Sequence, residues 1–185
     1  MEKKSGKICL SMSWKGMKIT GIDDRRYWTH IPTDQSRFRT IAYLQQIWWL
    51  EVDGNLEFEF PQGSYSLFFR LRLGRPTTTA AAFAGKRGGR IAAGGEMDRV
   101  HGWGNKPVRF KFSTSEGQEA MTQCYLPNEP TGKWICQHVG DFDVVNTNSN
   151  SPPATTAIKF SLTQIDCTHT KGGLCLDSLL ILPKS

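Results

Sequence analysis

Between Tyr65 and Leu73, large apolar residues recur at every second position. Tyr65, Leu67, Phe69, Leu71 and Leu73 fall on one side, with Arg70 and Arg72 on the other. Only an extended chain lying on a half-buried sheet satisfies a period of two, because a helix would scatter these residues around its circumference. The same alternation runs through Leu56, Phe58 and Phe60 (against Glu57 and Glu59), Val108, Phe110 and Phe112, and Ile158, Phe160 and Leu162. Ile8 to Trp14, Met17 to Ile22, Tyr27 to Pro32, Leu44 to Val52, Ala120 to Leu126 and Lys133 to Val145 read as further strands. Gly173 to Leu182 is apolar on both faces, as a central strand covered on each side should be. Asp53-Gly54 reads as a hairpin turn between Leu44–Val52 and Leu56–Phe60. The one helical spacing is Phe38, Ile41 and Ala42, which predicts a short helix within 33–43. Short strands with turns between them predict an all-β fold, an antiparallel β-sandwich or jelly roll, as a single domain over 1–185.

The glycines (18) and prolines (9) lie largely between the apolar runs, where turns are needed. Two stretches break the pattern and are expected to be flexible loops: 75–98, small and glycine-rich, and 146–156. The formal charge of +6 raises the question of nucleic acid, but the cations are dispersed. The densest group is Lys86-Arg87-Gly-Gly-Arg90 in a loop, so no nucleic-acid partner is expected. No apolar run is long enough for a membrane span. The five cysteines are odd in number, and Met1-Glu-Lys-Lys-Ser lacks the apolar stretch of a secretory leader. Reduced thiols in the cytoplasm or nucleus are therefore expected.

No nucleophile elbow or phosphate loop is present, and Asp23 and Asp24, as neighbours, diverge on a strand and cannot act together as acid and base. His30 has no evident partner nucleophile, so no enzyme is expected. Cys136-Gln-His138 and Cys167-Thr-His169 could face each other as a tetrahedral zinc site. Two-residue coincidences are common, and free thiols with satisfied histidines are the reading taken, so no metal and no cofactor are expected. Trp28 stands out, because Asp23, Asp24, Arg25, Arg26 and His30 surround it. An aromatic plate edged with polar groups suits a sugar ring or a planar ligand, although the residues alone favour Trp28 capping the end of a core. Trp48 and Trp49, as neighbours on a strand, should point one into the core and one outward.

Several long segments resemble a known family: residues 19–32 (Ile-Thr-Gly-Ile-Asp-Asp-Arg-Arg-Tyr-Trp-Thr-His-Ile-Pro), 43–49 (Tyr-Leu-Gln-Gln-Ile-Trp-Trp), 66–74 (Ser-Leu-Phe-Phe-Arg-Leu-Arg-Leu-Gly), 101–103 (His-Gly-Trp) and 164–174 (Gln-Ile-Asp-Cys-Thr-His-Thr-Lys-Gly-Gly-Leu). They look like the plant phloem-protein-two (Nictaba-like) lectins, closest to the branch that carries an N-terminal F-box. The resemblance runs from about residue 8 to 183 and implies a β-sandwich like that of carbohydrate-binding modules. It also implies a glycan or glycoprotein ligand containing N-acetylglucosamine and, in F-box members, a domain that selects targets for a ubiquitin ligase. The family's lectins use two tryptophans in an Ile-Thr-Trp…Tyr-Trp pattern and an acidic residue in Met-Glu-Ile. Here Trp28 follows Tyr27, Gly21 follows Ile19-Thr20 where the first tryptophan would stand, and Gln164 holds the acidic position. Loss of one aromatic face would cost on the order of 1 kcal/mol. The F-box is absent from this sequence, so either the chain is a fragment or it acts without recruiting a ligase adaptor itself. Two readings stand open. In a lectin-like module, Trp28 and Tyr27 form the aromatic part of the site, while Asp23, Arg26 and Gln164 bond hydroxyls. In a protein-interaction module, the Arg25, Arg26 and Trp28 region contacts a peptide surface.

Overall fold

The computed structural model describes residues 8–76, 100–128, 130–145 and 155–184, and among them it has eleven strands and no α-helix. The strands are β1 (Leu10–Ser13), β2 (Lys18–Ile19), β3 (Trp28–Pro32), β4 (Thr40–Leu44), β5 (Leu50–Phe58), β6 (Gly63–Leu73), β7 (Val108–Thr114), β8 (Glu119–Cys124), β9 (Trp134–Val144), β10 (Thr156–Gln164) and β11 (Leu174–Pro183). Residues 77–98 of one expected loop and 146–154 of the other lie outside the described residues.

The strands form two antiparallel sheets, ordered β3-β4-β11-β6-β9 and β2-β5-β10-β7-β8. From β4 onward the chain folds in half about the β7–β8 hairpin. β6 then pairs with β9, β5 with β10, and β4 with β11. Winding this doubled ribbon into two sheets adds the β6–β11 and β7–β10 pairs, which is the jelly-roll arrangement. β11 is central, as its two-sided apolarity requires. β6 runs along one edge, while β4 (at Leu174–Leu176) and β1 (at Ser178–Ile181) share the other.

The inward faces interdigitate. Phe69 of β6 packs against Phe110 of β7 and Phe160 of β10, with ring centroids 5.7 and 5.9 Å apart. Each fully buried side chain of this size contributes about 1.5–3 kcal/mol. On the outer face of the six-stranded sheet, Arg70 and Arg72 meet a cap made by the loop after β3. Arg70 donates to Asp177 at 2.6 Å, its guanidinium lies 4.1 Å from the Trp134 ring centroid, and Arg72 donates to Gln35 at 2.8 Å. Asp177 also accepts from Ser36 and Ser178. A carboxylate only 1% exposed persists because three donors replace its water.

Two local expectations are corrected. The helix expected within 33–43 is absent: 33–39 is a loop closed by Thr33 and Arg39, and Thr40–Leu44 is β4. Ala42 and Leu44 face the main core, whereas Ile41 and Tyr43 face a second small cluster with Ile31 and Cys175. Burial on both faces erased the alternation and imitated a helical stripe. The Asp53-Gly54 turn is also absent, since both residues lie within β5, and Leu56 continues that strand instead of starting a partner. Gly54 lies opposite Phe160, and a Cβ there would sit 2.2 Å from Phe160 Cζ. The glycine makes room for a ring, not for a turn.

Candidate functional site

At one end of the sandwich, the segment joining β2 to β3 is stitched to the segment entering β5. The Thr20 amide donates to the Glu51 carbonyl (3.0 Å), and the Gln45 amide donates to the Tyr27 carbonyl (2.8 Å). Gln45 Nε2 reaches the Arg25 carbonyl and Thr29 Oγ1, at 2.7 and 2.8 Å. Between these anchors opens a cleft of about 460 Å³ lined by Ile22, Asp23, Arg25, Trp28, Thr29 and His30. Residues bearing a carboxylate, a guanidinium, a hydroxyl and an imidazole therefore line one hollow. The His30 ring is backed by Trp14, with centroids 4.5 Å apart.

The residues expected to bind ligand do not all face this cleft. Trp28 is only 2% exposed and gives its indole N–H to the Thr20 carbonyl at 3.0 Å. It forms a wall of the cleft, but its ring faces are in the core, so the stacking role does not hold. Tyr27 is half-buried and covers Gly21, whose φ is +71° and whose Cβ position would lie 2.8 Å from Tyr27 Cδ2. The site where the family pattern has its first tryptophan is thus filled by a neighbouring ring. Arg26 is committed to Asp24 through bonds of 2.7–3.1 Å, which hold the Asp24 carboxyl below its usual range, and its guanidinium lies 5.4 Å from the Tyr27 ring centroid. Gln164, 3% exposed, points inward and donates to the Lys106 carbonyl, while its Oε1 is buried without a partner among the described residues. Its inward direction follows from β10's register, in which Ile158, Phe160, Leu162 and Gln164 share a face, and it does not supply bonds to a ligand in the cleft. Asp23 alone of the expected set stands open on the hollow.

The two Cys-x-His pairs do not meet as a metal centre. His138 on β9 bonds Asp141 (2.8 Å), and His169 Nε2 lies 2.9 Å from the Gly102 carbonyl. Among the described residues, no three His, Cys, Asp or Glu side chains group at metal-binding distances.

Trp48 and Trp49 depart from the expectation of one in and one out. Their segment is a bend between β4 and β5, and they are 51% and 43% exposed. Beside them Ile165 is 46% exposed, while Ile47 turns inward and bridges to Lys171. Lys171 is fully buried, and its ammonium donates to the carbonyls of Trp48 (2.6 Å), Gln164 (3.1 Å) and Asp166 (3.1 Å). All three N–H groups are used, so the charge is satisfied by backbone dipoles, and burial still pushes this lysine below its ordinary 10.5. The clamp fixes the bend carrying both tryptophans against the β10–β11 connection. Nothing in the sequence pattern marked Lys171, because three carbonyls from two distant segments meet only in the fold. A second hollow of about 460 Å³ lies on the outer face of the five-stranded sheet, where Lys18, Asp53, Lys111 and Lys159 alternate with serines. Two of its three lysines face an acid, with Lys111 3.5 Å from Glu119 and Lys18 cross-strand from Asp53, while Lys159 stands opposite Asn55 and Ser113.

A family model for phloem protein 2 matches residues 7–183. The chain is 56% identical over 184 residues to F-box protein PP2-A13 of Arabidopsis thaliana, covering all of this chain and 58% of that protein. It is 55% identical over 185 residues to F-box protein PP2-A12 of the same plant, again covering 58% of it. A lectin of Luffa acutangula is 28% identical over 188 residues, covering 99% of this chain and 74% of the lectin. Among solved structures, a family 35 carbohydrate binding module from Clostridium thermocellum aligns over 96% of this chain and 99% of its own, at 11% identity and a TM-score of 0.46. The chain thus spans somewhat over half the length of these two F-box-named relatives. The match across nearly every strand of the sandwich makes this chain a member of the phloem protein 2 family.

Proposed function

We propose that this domain is a carbohydrate-binding module that holds its ligand without transforming it, and that the ligand is a glycan containing N-acetylglucosamine. The observation carrying this reading is the cleft in which Asp23, Arg25, Thr29 and His30 converge over the Trp28 wall. Hydroxyl and acetamido groups need donors and acceptors held at fixed positions, and a β-sheet framework supplies that rigidity. Asp23 accepts from sugar hydroxyls, Arg25 and His30 donate, and Trp28 shapes the hollow by its edge. The Luffa lectin adds support as a relative over almost the whole chain. A second reading, substrate recognition within an F-box ubiquitin-ligase component, is favoured by the names of the relatives at 55–56% identity, which extend well beyond this chain. The cysteines are thiols, with Cys175 donating to the Gly74 carbonyl, which fits a reducing compartment, the cytoplasm or nucleus.

Calorimetric titration with chitotriose and an N-glycan core tests the primary reading. Saturable binding is expected, weakened about tenfold or more in Asp23→Ala, the usual scale for losing a charged hydrogen-bond acceptor in a site. No heat up to millimolar sugar, with the domain folded, would leave protein recognition as the function.

A further inference from the structure

We infer that Trp48 and Trp49 form an aromatic subsite that takes the second and later rings of an oligosaccharide entering from the Asp23 cleft. This rests on the carbohydrate reading and extends it to a part of the surface outside the residues that line the cleft.

The first ground is exposure. Two indoles adjacent in sequence are 51% and 43% exposed, and Ile165, flanked by the two residues whose carbonyls share the Lys171 ammonium with Trp48, is 46% exposed, so three large apolar side chains around one clamp are left uncovered by the described residues. The second is rigidity. The Lys171 ammonium holds the Trp48 carbonyl at 2.6 Å, and the Trp49 indole N–H is tied to Glu51 Oε2 at 3.2 Å. A platform already ordered loses little entropy when a ligand stacks on it. Position is the third ground: Glu51, two residues from Trp49, accepts through its carbonyl from Thr20, at the start of the loop that carries Asp23 and Arg25.

Rim chemistry selects the occupant. Glu51 borders the platform on one side, and Asp166 follows Ile165 on the other, with Lys106 Nζ 3.9 Å from the Asp166 carboxylate. Thr168 donates to Asp166 from its backbone N–H (2.8 Å) and its hydroxyl, which keeps that carboxylate ionised. An apolar protein surface seated here would strip the water from both carboxylates and offer no donor to the acceptor sites that Trp49, Thr168 and Lys106 leave open. A phosphate or sulfate would be repelled by them. A neutral pyranose matches both features, because its C–H face lies flat on an indole while its rim hydroxyls donate to carboxylates.

The test compares N-acetylglucosamine with its β-1,4 trisaccharide on the 185-residue chain, by NMR of the indole N–H signals and by calorimetry. In the wild type the trisaccharide is expected to bind at least about tenfold more tightly than the monosaccharide. The Trp48 and Trp49 indole signals should move only with the trisaccharide. In the Trp48→Ala/Trp49→Ala variant the length advantage should vanish while monosaccharide affinity stays, whereas Asp23→Ala should weaken both sugars. Equal affinity for the two sugars in the wild type, unmoved Trp48 and Trp49 signals, or an intact length advantage in the double variant would overturn the subsite and leave the cleft standing. Absence of binding by either sugar to the folded wild type would overturn the carbohydrate reading itself, and the subsite with it. The wild-type signals decide the matter even if the double variant folds poorly.

Discussion

At the scale of single residues, this end of the sandwich is organised by a buried lysine. Lys171 satisfies three carbonyls that would otherwise face a partly dry interior, and among the described residues no carboxylate is bound to its ammonium. Lys171→Met keeps the unbranched apolar stem and removes every side-chain donor. The expected result is a loss of about 2–3 kcal/mol in urea unfolding, because buried acceptors are left unpaired. The Trp48–Trp49 bend should also loosen, seen as greater acrylamide quenching of tryptophan emission. Unchanged stability would mean that water replaces the ammonium without cost. Tryptophan positions show why residue type alone misleads. Trp28, amid polar neighbours, is buried, because β3 places it opposite Leu44 on the core side and Thr20 accepts its N–H. Trp48 and Trp49, in the most apolar run nearby, are the exposed ones.

At the scale of elements, β5 carries the sharpest lesson. Nine residues run unbroken through Asp53-Gly54, paired with β10 from end to end. Gly54→Ala is expected to destabilise by about 1–3 kcal/mol through overpacking against Phe160. Gly54→Ala combined with Phe160→Leu should recover a large part of that loss, measured as urea midpoints in a double-mutant cycle. A turn at Gly54 would give no such coupling. The pairing of β4 with both a main-core face and a small outer cluster has the same origin. In each case what a residue faces across the sheet, not its neighbours in sequence, decides its role.

At the scale of the whole molecule, a chain folded in half brings residues over a hundred positions apart into register, as in β4 with β11. The closing end is fastened by Asp141, which accepts from Lys184 after β11, Ser66 of β6 and His138 of β9. These bonds, Lys184 first, hold the Asp141 carboxyl well below its ordinary 3.8. A carboxyl with a depressed folded pKa contributes stability above its unfolded value and loses it as pH falls toward the folded one. Urea midpoints should therefore be flat in this respect above about pH 4 and decline below it. Asp141→Asn should be less stable at pH 6 and show a shallower acid decline. An equally steep decline in the variant would assign acid sensitivity to other carboxylates.

How much of this was legible follows from which pattern each segment wrote. Period-two alternation marked β6, β7 and β10, apolarity on both faces marked the central β11, and the number of strands with little helix marked an antiparallel sandwich; the long segments at 19–32, 43–49 and 164–174 marked the family. Those features depend on which side of the chain is apolar, and composition in sequence order carries that information. The Asp23 end was legible as a place, and Asp23 itself stands open on its cleft. Only the tertiary structure decided that Trp28 and Gln164 face inward, that Tyr27 fills the space over Gly21, that Gly54 accommodates a ring, and that Lys171 displays Trp48 and Trp49. Each of those outcomes depends on cross-strand register and on atoms from distant segments meeting at fixed distances, and a linear sequence does not encode a distance until the chain has closed.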